Sequence, residues 1–265
     1  MNGIVINIDP VLLQLGGLEI RWYGFFIAIA VVTAVFIAAR EGKKKGIPPG
    51  VIYSGALWVI VGGLIGARLF HVVDRFDYYI SNPTQIFQFQ GLAIWGALLG
   101  GGLAAIVYAR VKHISIRRGA DTVVIALLVA QIIGRFGCII NGDAYGGVTG
   151  LPWGFIYTHP NALIPDNLSG VPTHPYPVYE ILWNSMAILI ILKLRRSLKI
   201  DGMLFLSYLS LYALGRFALS FVRQESTVLW SLQQAQVVAI AILIACVAVA
   251  LYLLKSRRTI ERAYG

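Results

Sequence analysis

Long apolar runs, separated by short polar or basic stretches, dominate this chain. Seven of them, at roughly 20–39, 50–73, 91–109, 121–140, 177–194, 202–222 and 231–254, approach the ~20 residues a helix needs to cross bilayer hydrocarbon. Polar residues inside three of these runs recur at helical spacing. In the fourth, Gln131, Arg135 and Cys138 share one face, which continues into Gly142, and Asn141-Gly142-Asp143 reads as a turn leaving the bilayer. At the start of the fifth, Tyr176, Glu180 and Asn184 form a second stripe. Tyr208, Tyr212, Arg216, Ser220 and Arg223 form a third along the sixth. Such stripes usually face a bundle interior or a water-filled cavity.

The segments between the runs carry their own signals. Residues 1–19, with Asp9-Pro10 and Gly16-Gly17, predict a turn or hairpin leading into Arg21-Trp22-Tyr23-Gly24, where Trp22 and Tyr23 suit an interfacial aromatic belt. The stretch 74–90 is rich in Tyr, Phe and Gln and reads as a re-entrant or interfacial arm. Residues 141–176 hold five prolines and no apolar span, as expected of a small cap over the membrane. Gly62/Gly66 and Gly96/Gly100 are small-xxx-small pairs that let helix backbones approach closely.

Composition narrows the class. The chain is 58% hydrophobic and 13% charged, with mean hydropathy +0.74. That composition predicts one integral membrane domain over residues 1–265. No basic n-region with an uninterrupted apolar core opens the sequence, so no cleavable signal peptide is expected. Cys138 and Cys246 lie at different depths in their spans and are expected to be free thiols.

The net charge of +10 would suit nucleic acid, but its distribution excludes that partner. Arg40, Lys43, Lys44 and Lys45 follow the first span, and Arg110, Lys112, Arg117 and Arg118 the third. Lys193, Arg195, Arg196 and Lys199 follow the fifth, and Lys255, Arg257, Arg258 and Arg262 the seventh. Basic groups at alternate loops are orientation signals. The expected fold is therefore all-α: a polytopic membrane bundle of seven transmembrane helices, N-terminus outside and C-terminus cytoplasmic, with residues 141–176 as a small extracytoplasmic cap.

Six arginines remain outside those groups: Arg21, Arg68, Arg75, Arg135, Arg216 and Arg223. All lie toward the outer ends of spans, where the orientation rule works against cations. A planar guanidinium fork matches phosphate oxygens, and a phospholipid presents its phosphate at that depth. A cavity for an anionic lipid or solute, open to the outer leaflet, follows. Glu180 is the counter-ion candidate for one of these arginines, and a purely structural Glu180–Arg216 pair is the alternative. No His-Glu-x-x-His, nucleophile elbow or phosphate-binding glycine loop occurs, so no metal or other cofactor is expected. The residues alone leave enzyme and transporter open.

Gly134-Arg135-Phe136-Gly137-x-x-x-Asn141-Gly142-Asp143 resembles the signature of the prolipoprotein diacylglyceryl transferases. The resemblance covers nearly the whole chain. It includes Asp9-Pro10 with Arg21-Trp22-Tyr23-Gly24, then Gly91-Leu92-Ala93-Ile94-x-Gly96 and His174-Pro175-x-Pro177-x-Tyr179-Glu180. It ends with Tyr212-x-x-x-Arg216 and Phe221-Val222-Arg223-Gln224. It implies transfer of diacylglyceryl from phosphatidylglycerol to the lipobox cysteine thiol of a preprolipoprotein. A thioether forms and glycerol 1-phosphate leaves, as the first step of lipoprotein maturation at the bacterial inner membrane. The partners implied are phosphatidylglycerol, the preprolipoprotein signal peptide and membrane lipid. Arg135, Arg216, Tyr23 and Tyr212 are the expected catalytic residues. Arg135, Asn141, Asp143, Gly146, Arg68, Glu180 and Arg223 are the expected substrate contacts.

Three positions depart from the family pattern. Trp95 stands where a histidine, considered a general base, is frequent; Cys138 replaces a common Asn and Ser220 a common Glu. Trp95 cannot accept a proton. Thiol activation then falls to the arginine field or to Tyr23, Tyr212, Asp143 or His174. The rival reading is a non-catalytic anionic-lipid binding or transport protein of the same fold.

Overall fold

The computed structural model describes residues 3–87, 91, 93–223, 227–229 and 232–264. Leu92 and Gln224 of the motifs above lie outside them, as do the side chains of Arg257, Arg258 and Arg262. Among the described residues the elements run β1 (Ile4–Ile6), β2 (Val11–Leu15), β3 (Leu18–Arg21), α1 (Trp22–Lys44), α2 (Pro49–Asp74), α3 (Phe76–Ser81), α4 (Ile94–Val111) and α5 (Ile116–Asn141). They continue with β4 (Phe155–Tyr157), α6 (Tyr176–Leu194), α7 (Met203–Ser220), β5 (Thr227–Leu229), β6 (Leu232–Gln233) and α8 (Gln234–Tyr264). All the helices except α3 are long and apolar enough to cross a membrane, and they coincide with the seven runs expected. Among the described residues the strands form only two-stranded pairs, with no closed sheet.

The chain divides into two compact units. The one formed by Met1–Ala34 and Val124–Gly265 holds α6, α7, α8, the start of α1 and most of α5. Its helical core joins Val124 and Leu128 of α5, Ala187 and Ile191 of α6, and Leu204 and Tyr208 of α7. Local sequence sets the helix ends. Gly142, at φ 76°, closes α5, its N–H bonding to the Cys138 carbonyl at 3.0 Å; glycine takes this left-handed position without a Cβ clash. Pro177 sits in the first turn of α6, where the absent N–H is not missed.

The expected hairpin is present, β2 pairing antiparallel with β3 across Gly16-Gly17. Asp9 precedes it and accepts the Val11 N–H at 2.9 Å. That bond, with a second from Asn161, holds the Asp9 carboxyl below its usual range. Beyond the sequence reading, β1 pairs in parallel with β4, some 150 residues away, and Phe155 and Thr173 exchange backbone bonds. Phe155, Tyr157 and Ile164 form a small core there, packed against Ile139 and Val178. Tyr157 donates its hydroxyl to the Ile139 carbonyl at 2.9 Å, fastening this segment to the last turn of α5. Burial pushes the Tyr157 phenol above its usual range.

In the other unit, Val35–Val123, α2 and α4 cross on the two glycine pairs. A Cβ on Gly66 would stand 2.3 Å from the Gly96 carbonyl oxygen, so these backbones touch directly. The connection after α2 forms α3 and a 3₁₀ turn at Pro83–Phe87.

Candidate active site

The three polar stripes meet at the end of α5, the start of α6 and the end of α7. Arg135 leaves α5 about a turn and a half before its end. Its Nη2 donates to Glu180 Oε1 at 2.8 Å, and its Nε lies 2.5 Å from Oε2. The third direction of the fork, Nη1, points to Cys138 Sγ at 3.5 Å. Glu180, one turn into α6, keeps 12% of its side-chain area exposed, so its charge depends on these cations. Arg216 of α7 reaches the same carboxylate more distantly, with Nη1 3.9 Å from Oε1. The tight counter-ion pair therefore forms with Arg135, while Arg216 completes a triad.

Arg216 Nη1 also donates to the Tyr176 hydroxyl at 2.6 Å. The Tyr176 ring has no exposed area, and the guanidinium carbon of Arg223 lies 5.4 Å from its centroid. Arg223 in turn lines a cleft of about 300 Å³ with Asp143, Tyr145, Gly146 and Asn167. A side chain at Gly146 would meet His174 Cβ at 2.7 Å and the Val222 carbonyl oxygen at 3.0 Å. Backbone bonds from Gly146 to the His174 carbonyl and from Gly147 to the Val222 carbonyl seal that crossing. A Cβ-free residue at 146 thus lets the loop after α5, the entry to α6 and the exit of α7 converge.

Of the residues expected from sequence, Arg135, Glu180 and Arg216 cluster directly, and Arg223 joins them through Tyr176. Asp143 and Gly146 share the Arg223 cleft. Asn141 is buried and accepts from Arg21 Nη1 at 3.5 Å, while its carbonyl takes the Leu163 N–H. Tyr23 lies beside α5, its Cα 3.0 Å from where a Gly137 Cβ would stand. Tyr212 rests near the Tyr208 ring, and Tyr208 accepts from Gln131 at 2.7 Å. Among the described residues, neither Tyr23 nor Tyr212 hydrogen bonds to the arginines. Ser220 turns back to the Phe217 carbonyl of its own helix. Cys138 and Cys246 are free, as expected, and both are buried.

Arg68 and Trp95 belong to the other unit. The Arg68 guanidinium donates to the carbonyls of Ile86 at 2.8 Å, Gly91 at 3.1 Å and Gln85, and it lies 5.1 Å from the Tyr79 ring centroid. These contacts hold the connection between α2 and α4. Trp95 keeps 48% of its area exposed.

The sequence reading missed Tyr176 as the residue that joins two arginines. Its signal was the stripe it shares with Glu180, one helical turn away. Arg21, counted among the six arginines, was not linked to Asn141, because nothing in sequence spacing joins residues so far apart.

The model of the prolipoprotein diacylglyceryl transferase family matches residues 10–252. The phosphatidylglycerol–prolipoprotein diacylglyceryl transferase of Clostridioides difficile (strain 630) is 37% identical over 252 residues, covering 94% of this chain and 97% of that protein. The protein of the same name from Dehalococcoides mccartyi (strain CBDB1) is 35% identical over 258 residues, covering 97% and 98%. The one from Lysinibacillus sphaericus (strain C3-41) is 34% identical over 251 residues, covering 91% and 90%.

Proposed function

Because the chain belongs to the prolipoprotein diacylglyceryl transferase family, we propose that Arg135 and Arg216 hold the phosphate of phosphatidylglycerol while its diacylglyceryl group moves to a cysteine thiol. The protein is a phosphatidylglycerol–prolipoprotein diacylglyceryl transferase acting in the first step of lipoprotein maturation. The acceptor is the lipobox cysteine of a preprolipoprotein. Its sulfur forms the new C–S bond as the glyceryl C–O bond to phosphate breaks, and glycerol 1-phosphate departs with that bonding pair. Negative charge grows on the departing phosphate, so fixed cations lower the barrier most if they are already in place.

The observation that carries this reading is the convergence of two guanidinium groups on one largely buried carboxylate, Glu180. Glu180 fixes the direction of the Arg135 fork before substrate arrives, which preorganises the charge. The same cations favour the thiolate of the incoming cysteine. Arg223, Asp143 and Gly146 extend the site into the adjoining cleft, and Asn141 ties the end of α5 to Arg21. Since Trp95 has no basic nitrogen, the thiol proton passes to one of Tyr23, Tyr212, Asp143 or His174. The four basic groups orient the protein in the bacterial inner membrane with this site toward the outer leaflet.

The test is turnover of purified protein with saturating phosphatidylglycerol and a lipobox peptide, read as thioether-linked product. Arg135→Lys and Arg216→Lys should each lower the turnover number by about a hundred- to thousand-fold, because lysine offers a point charge instead of a fork. Saturation should not restore them. Well-folded lysine variants with wild-type turnover would reduce these arginines to lipid anchors. Absence of any thioether product from the wild-type protein would favour a non-catalytic lipid-binding role.

A further inference from the structure

Tyr176 stands between two of the arginines and contacts both. It is the first residue of α6, and its side chain has no exposed area. Its oxygen accepts from Arg216 at 2.6 Å, while its ring face lies under Arg223 at 5.4 Å. The one side chain thus contacts both guanidinium groups, one through its oxygen and one through its ring.

The surroundings define what such a unit holds. Arg216 and Arg223 come from the end of α7 and the turn after it, and Arg135 reaches the same region through Glu180. Guanidinium groups gathered in one place suit an anionic oxygen ligand. The backbone is braced as well: the Arg223 carbonyl accepts from Gln233 Nε2 at 3.0 Å, and Gln236 caps the Gln233 N–H at 2.9 Å. Gln236 is 2% exposed, so this brace is part of the packed protein.

We infer that Tyr176 couples Arg216 and Arg223 into one anion-holding unit for the lipid phosphate. The inference rests on the reading that these arginines hold that phosphate. Tyr176 aims one guanidinium through its oxygen and supports the other through its ring. Two cations that would otherwise repel are thereby held against one side chain.

Tyr176→Phe isolates the hydroxyl, since it keeps the ring beneath Arg223. With saturating phosphatidylglycerol and a lipobox peptide, its turnover should fall about ten- to hundred-fold while its melting temperature stays near wild type. Tyr176→Leu, which also removes the ring, should fall further. In a double-mutant cycle, Tyr176→Phe combined with Arg216→Lys should lose little beyond Arg216→Lys alone, because both changes break one unit. A purely structural tyrosine would lower the melting temperature, leave turnover at saturation intact and add independently to Arg216→Lys; that result overturns the inference. Turnover of Tyr176→Phe within about threefold of wild type, beside a collapsed Arg216→Lys, would also overturn it and leave the arginine reading standing. Wild-type turnover in Arg216→Lys would instead remove the premise. Should Tyr176→Phe not fold, Tyr176→Trp, which keeps a ring face beneath Arg223, should exceed Tyr176→Leu in turnover. Equality of those two would reject the support of Arg223 by the ring and overturn the coupling.

Discussion

A guanidinium within an apolar helix costs roughly 2.5–3.5 kcal/mol on insertion scales, and at Arg135 the carboxylate of Glu180 offsets that cost through two contacts. Removing one partner of such a pair leaves the other charge uncompensated, which costs about 3–5 kcal/mol when both are buried. Arg135 keeps 29% of its side-chain area exposed, so Glu180→Gln should sit at the lower end of that range. Thermal unfolding in detergent measures it, and an unchanged midpoint would mean that solvent already screens the pair. Trp95 makes the opposite case. Proton transfer in this chain cannot use position 95, so Trp95→His should leave turnover within about tenfold, equivalent to about 1.4 kcal/mol. A larger gain in rate would show that tryptophan impairs a site which works better with a base there.

At the scale of elements, glycine decides how closely helices pass. In α2 and α4 the backbone oxygen of one helix occupies the place where a Cβ of the other would stand, 2.3 Å away for Gly66 against Gly96. A backbone oxygen cannot rotate aside, so Gly66→Ala must push the helices apart, at about 1–3 kcal/mol. Gly102, on the same α4, has nothing within 4 Å of its Cβ position. There alanine only improves helix propensity, by roughly 0.5–1 kcal/mol. The two variants should therefore shift the melting temperature in opposite directions. A common direction would mean that the α2–α4 contact does not limit stability.

Over the whole molecule, orientation is governed by charge at the ends of spans. Four basic groups follow alternate spans, so 141–176 and 193–200 should face opposite sides of the membrane. Asn167 and Ser197 are both exposed, and the native cysteines are buried, which keeps background labelling low. On intact cells an impermeant maleimide should label Asn167→Cys and spare Ser197→Cys. Equal labelling, or labelling of Ser197→Cys alone, would reverse the assignment.

The apolar runs, the turn at Asn141-Gly142, the hairpin before Trp22 and the intramembrane arginines were all legible in the sequence. Each depends on local physics: span length against bilayer thickness, glycine at positive φ, and the cost of a charge in hydrocarbon. The polar stripes were legible too, because helical periodicity fixes which residues share a face. Periodicity leaves open which stripe meets which, since that depends on helix rotation and separation. Only the tertiary structure therefore paired Glu180 tightly with Arg135, set Arg216 3.9 Å away and slid Tyr176 between Arg216 and Arg223. It alone paired β1 with β4, because a parallel ladder between distant segments leaves no spacing rule along the chain. It also turned Arg68 onto the carbonyls of the α2–α4 connection, a set of acceptors that no side-chain pattern announces.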